Sequence, residues 1–115
     1  MRARVAAMVD EDRPVLVPFD QEKRAVELRY DRRNPRRSLE SFTRQRHANL
    51  KWLRTLKPAQ LRRKGTHQKV GEIAAGEMIH EWAFHDLGHL KQIMEVKRYA
   101  LWPHMGNMRK FYNLG

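Results

Sequence analysis

Residues 72–99 read EIAAGEMIHEWAFHDLGHLKQIMEVKRY. Within this stretch Ile79, Trp82, Ala83, Leu90 and Ile93 recur at three- and four-residue steps or their multiples. That spacing stacks side chains on one face of an α-helix. Gly76 and Gly88 fall inside the run, each at a cost of about 1 kcal/mol relative to alanine. The pattern predicts one long helix from about Glu72 to Tyr99, with Pro103 and Gly106 ending regular structure beyond it.

Working toward the N-terminus, Gly65 and Gly71 bound a loop holding Thr66, His67 and Lys69. Before it, Leu39, Phe42, Leu50, Leu53 and Leu56 form a second helical face that Trp52 widens. This helix is expected to begin near Arg36 or Ser38 and to stop before Pro58. Asp31 to Pro35 reads as a turn, and Gln21 to Tyr30 as a short helix with a weak stripe. Pro14 and Pro18 bracket Val15–Leu16–Val17, which reads as an extended connector. Arg2 to Val9 reads as the tail of another helix, with Val5, Met8 and Val9 as its apolar contacts. Phe111 and Tyr112, in the tail from Met105 to Gly115, are expected to dock back. No segment shows sustained two-residue alternation. The expected architecture is therefore all-α: long helices around one core in a single domain, residues 1–115. Leu39, Phe42, Leu50, Leu53, Ile79, Trp82 and Leu90 are the expected core residues, some of them at an interface.

Composition narrows the classes. The chain has 115 residues, a formal net charge of +11 at pH 7 and no cysteine. One modest core is all that this length supports. Disulfide scaffolds, cysteine nucleophiles and thiolate zinc sites are excluded. No apolar run approaches the roughly 20 residues that cross a bilayer. Met1 to Met8 lacks the apolar stretch of a signal peptide. The expectation is a soluble, cytoplasmic protein. The charge favours acidic partners such as nucleic acid, anionic lipid or an acidic protein. Arg29, Arg32, Arg33, Arg36, Arg37, Arg44 and Arg46 form one basic run, and Arg62, Arg63 and Lys64 a second. As read from the sequence, these runs lack interleaved aromatics to stack on bases, and no zinc-finger, basic-zipper or RNA-recognition signature accompanies them. A solvated helix face and a basic loop are the preferred reading of these runs over a phosphate-tracking patch.

The chemistry concentrates in WAFHDLGHLKQI, Trp82–Ile93. His85 and His89 are four apart, so a helix puts both imidazoles on one face. Two such nitrogens can reach one divalent cation at roughly 2.0–2.1 Å. The pair flanks the apolar stripe, so the rings are expected in a groove between helices. Asp86 falls near the middle of that stripe, where a carboxylate needs a partner; it can hold an imidazole by its second nitrogen or pair with a basic residue. Glu81, four before His85, can serve as an oxygen ligand or as an acceptor behind the ligands. A third ligand is sought at His67 or His47, and a second chain can supply one as well. His67 can equally make a loop-closing hydrogen bond. His80 lies on a different sector, and His104 follows Pro103 in the tail. Spacing alone also fits a solvent-facing or core-packed pair. HDLGH resembles the zincin motif, but with aspartate where zincins need glutamate to reach the metal-bound water.

The run GTHQKVGEIAAGEMIHEWAFHDLGHLKQI at residues 65–93, the PFD at Pro18–Asp20 and the stretch Asn49–Arg54 together resemble the DinB/YfiT-like superfamily. H-D-x-x-H-L-x-Q-I at His85–Ile93 is the most specific part of the likeness, which covers nearly the whole chain. The resemblance implies a four-helix bundle that binds a divalent metal, usually nickel or zinc and with iron as a further option, through three histidines. Two of these match His85 and His89. The third belongs to an earlier helix, upstream of the segment matched by Arg2–Val9, so the resemblance implies a bundle lacking its N-terminal helix. An apolar face left uncovered in this way is expected to be covered by homodimerisation. Some relatives are thiol-dependent transferases or isomerases using small thiols, and the implied activity is a metal-dependent hydrolase or such a transferase, with a small-molecule substrate and no membrane partner.

Three readings follow from the sequence: a metal-binding protein of this kind, a non-catalytic helical dimer of the same fold, and a basic nucleic-acid-binding module.

Overall fold

The structure, a computed structural model, describes residues 1–18 and 20–114. Phe19, the middle of the Pro18–Asp20 element, and Gly115, the end of the tail, lie outside them. The chain divides into two compact units, Met1–Met78 and Ile79–Gly115.

The first unit opens with α1, Arg2–Asp10, whose Val5, Met8 and Val9 are buried. These positions follow the i, i+3, i+4 rule for a helix with one covered face. Helix α3, Pro35–Leu53, crosses back to α1: Arg2 Nη1 donates to Asn49 Oδ1 at 3.1 Å, and the Arg2 guanidinium lies 4.9 Å from the Trp52 ring centroid. Both start signals of α3 are local. Asn34 Oδ1 accepts the Arg37 backbone N–H at 3.2 Å, and Pro35 occupies the first helical position, where no N–H is needed. Two short helices, α2 (Gln21–Glu27) and α4 (Pro58–Leu61), flank α3 in sequence. Asp20 caps α2 by accepting from the Lys23 N–H.

A three-stranded sheet departs from the all-α expectation. Strand β1, Val15–Leu16, runs parallel to β2, Lys64–His67, which pairs antiparallel with β3, Gly71–Ala74, in the order β1-β2-β3. The expected loop around His67 is thus a β-hairpin, and the expected connector at Val15 is an edge strand. Residues 68–70 make the turn, and Gly71 closes it at φ +85°, a conformation that favours glycine. Close approach fixes the other side: a Cβ on Gly65 would meet Pro14 O at 2.9 Å, and Thr66 N–H already donates to that oxygen at 2.9 Å. Because β3 claims Glu72–Ala74, the long helix begins later than periodicity alone predicts. This is α5, Ala75–Leu101. Its start is set by Glu77, whose Oε2 accepts the Ala74 N–H at 2.7 Å.

The second unit holds most of α5 and a 3-10 segment, Trp102–Phe111, that continues past Pro103 and kinks at Gly106 (φ 52°, ψ −133°). Regular structure therefore extends beyond its expected end, because proline is tolerated at the start of a helical turn. Of the two residues expected to dock back, Phe111 is 78% exposed, whereas Tyr112, though also exposed, lines a hollow with Arg98 and Leu101 of α5, and Arg98 reaches the Asn113 carbonyl.

The buried apolar residues are Val5, Met8, Val9, Leu16, Ala75, Met78 and Trp82. Of the expected core residues, only Trp82 is among them; Leu53 and Ile79 are half-buried, and Leu39, Phe42, Leu50 and Leu90 are exposed. No helix among the described residues is long and apolar enough to cross a membrane.

Candidate metal centre

Helix α5 is continuous through residues 85–89, so the four-residue spacing of the two histidines becomes proximity. The His85 and His89 ring centroids are 4.4 Å apart, with the rings nearly perpendicular at 80°. Both residues are exposed, as is Glu81, while Asp86 is half-buried. The rings therefore sit on an open surface of the helix rather than in the groove expected from the stripe. Space is available beside them, since a Cβ on Gly88 would meet nothing within 4 Å.

Gln92 is the residue that spacing analysis passed over. Its Oε1 lies 2.9 Å from His89 Nδ1. With that oxygen as acceptor, the contact is made by the tautomer that carries its hydrogen on Nδ1 and keeps the Nε2 lone pair for a metal. Fixing one ring nitrogen by a carbonyl is how proteins orient a ligating imidazole. The signal was present in the sequence, because Gln92 is three residues after His89 and thus its neighbour on the helix surface.

His67 belongs to the first unit and is half-buried in β2. Its Nδ1 accepts the Lys69 backbone N–H at 3.1 Å across the hairpin turn, which is the loop-closing bond named as the alternative to coordination. Coordination through Nε2 requires the hydrogen to move to Nδ1 and that bond to break. His47 is exposed on α3. Among the described residues, no three His, Asp or Glu side chains gather into a metal-sized group. Two imidazoles could supply half of the donors of a tetrahedral site. The pair suits a borderline-soft divalent ion such as nickel or zinc.

A family model described as the DinB superfamily matches residues 1–93, which include α1, α3, the hairpin and both histidines of α5. The chain belongs to the DinB superfamily. No curated protein and no solved structure matches it. The DinB match ends at Ile93, the last residue of the H-D-x-x-H-L-x-Q-I run.

Proposed function

We propose that this DinB-superfamily chain binds a divalent metal through His85 and His89, with nickel or zinc as the ion, and uses it on a small-molecule substrate as a hydrolase or a thiol-dependent transferase. The observation that carries this reading is the imidazole pair itself: 4.4 Å between ring centroids on one exposed helix face, with His89 oriented by Gln92. A bound metal would supply Lewis acidity or lower the pKa of coordinated water or thiol. Two protein donors leave positions for substrate and for a further ligand. Glu81, on the same helical line as His85, and residues of a second copy are the donors that would fill them, with Asp86 behind the ligands.

The second copy has support of its own. Phe84, Leu87, Leu90, Ile93, Met94, Val96 and Leu101 of α5 are each more than half exposed. A helix apolar around most of its circumference is ordinarily covered. The homodimer is therefore part of the proposal.

Metal analysis of untagged protein tests the reading, followed by thermal denaturation in zinc or nickel. A ligand at about 100 times its Kd stabilises the folded state by roughly 2.7 kcal/mol. Wild type is expected to gain this stabilisation, and His85→Ala/His89→Ala is expected to lose it. An equal response of the two proteins would assign the fold to a non-catalytic role with an empty pair.

A further inference from the structure

The arginine run at residues 29–46 does more than coat a helix. Tyr30, Arg32, Arg33, Arg37, Phe42 and Gln45 line a concavity of about 730 Å³ where a 3-10 turn, Tyr30–Arg32, meets the start of α3. The turn is shaped by its own arginines. Arg29 takes a left-handed conformation (φ 52°) and is held by Asp31, while Arg33 Nε donates to the Leu28 carbonyl at 3.0 Å. Contrary to the expectation that the basic run lacks interleaved aromatics, Tyr30 and Phe42 fall within it. The Arg33 guanidinium lies 5.3 Å from the Tyr30 ring centroid, and that of Arg46 lies 5.0 Å from Phe42. Tyr30 and Phe42 thus line one basic hollow with Arg32, Arg33 and Arg37. Neither Arg32 nor Arg37 makes an ion pair among the described residues. Arg36 and Arg37 also occupy the first turn of α3, which contains no acidic residue. Cations are disfavoured at that positive end of the helix dipole, and an anion placed there relieves the conflict.

We propose that this concavity binds a nucleoside phosphate, free or within a single-stranded nucleic acid, with Arg32 and Arg37 on the phosphate and the Tyr30 and Phe42 rings beside the base. Guanidinium groups match phosphate geometry with paired donors, and π-faces accept any base. The site lies within the Met1–Met78 unit and stands independently of the metal reading.

Fluorescence anisotropy with a labelled oligothymidylate, and competition by a mononucleotide and by inorganic phosphate, test the proposal. Wild type is expected to bind at low salt. Arg32→Glu/Arg37→Glu is expected to weaken binding more than tenfold, and Arg32→Gln/Arg37→Gln to lower the salt slope by about 0.7 for each phosphate contact removed. Lys91→Glu/Lys97→Glu, with the same net-charge change as the arginine-to-glutamate pair, is expected to retain binding within threefold. Tyr30→Leu/Phe42→Leu keeps every charge and is expected to lose about tenfold through stacking. Competition by mononucleotide at comparable affinity assigns the free nucleotide as ligand; competition by oligonucleotide alone assigns the strand. Equal losses in the two glutamate pairs, an unaffected aromatic variant, displacement by inorganic phosphate as effective as by nucleotide, or no binding by folded wild type at low salt would each overturn the proposal. Circular-dichroism melts confirm that each variant compared is folded.

Discussion

His89 and Gln92 carry the finest-grained consequence of the account. The Gln92 carbonyl orients the ring through Nδ1, so its loss should loosen metal capture without touching a ligand. Gln92→Ala is expected to weaken nickel binding by about 10–100-fold, the range for groups that orient a ligating histidine. Gln92→Glu, which keeps an acceptor oxygen, should recover most of it. Calorimetric titration reads both, and unchanged affinity in Gln92→Ala would deny Gln92 this role. A second residue speaks to stability alone. Met8 is fully buried on α1, so Met8→Ala removes packed atoms from the first unit's core. Urea denaturation is expected to show a loss of about 2–5 kcal/mol. A loss below 1 kcal/mol would mean that α1 is not packed as described.

The strands show most clearly how local chemistry sets the elements. Gly65 lies against Pro14, where an added Cβ would approach the carbonyl oxygen to 2.9 Å. Gly65→Ala must therefore push β1 from β2, and a cost of about 1–3 kcal/mol in urea denaturation is expected. Glu72 on β3 lies diagonally from Lys64 on β2, whose Nζ donates to its Oε1 at 2.8 Å. That hydrogen bond, then the Lys64 charge and more weakly that of Arg13, holds the Glu72 carboxyl below its ordinary value, against a small opposing effect of burial. A carboxyl lowered by folding stabilises the folded state above its unfolded pKa and loses that contribution as pH falls through the lowered one. Wild type is therefore expected to lose its advantage over Lys64→Gln on acidification, and a pH-independent gap in urea midpoint would contradict this. Helices α3 and α5 were legible because periodicity over three or more turns is a strong signal, and the shorter α1 from its helix-forming alanines. The sheet was not. A two-residue β1 cannot display alternation, and Gly65 and Gly71 inside the hairpin look like loop punctuation. Periodicity also misplaced part of the core: it identified apolar positions on α3 and α5, but a face does not reveal its cover, and Leu39, Phe42 and Leu90 are exposed. The proximity of His85 and His89 was legible from spacing, and so, at three and four residues, were the pairs Tyr30–Arg33 and Phe42–Arg46 that the reading of the basic run passed over; the hollow itself was not, because it needs the turn at Tyr30–Arg32 to meet the start of α3.

At the scale of the whole molecule, the exposed apolar residues of α5 and the proposed two-histidine site, which would need a further donor, lead to the same expectation, a second copy. Leu87 and Met94, one heptad apart, are 64% and 58% exposed. Sedimentation velocity is expected to show a homodimer, and Leu87→Glu/Met94→Glu a folded species shifted to monomer. Monomeric wild type at high concentration would remove the dimer from the account. The claim on which the functional reading rests is simpler: His85 and His89 take hold of one ion. Two-dimensional NMR of the histidine ring nitrogens during zinc titration tests it directly. The account predicts that the Nε2 resonance of His89 and one ring nitrogen of His85 shift together, while the hydrogen on His89 Nδ1 is retained. Rings that keep their resonances as zinc is added, or that respond at separate zinc ratios, would contradict it.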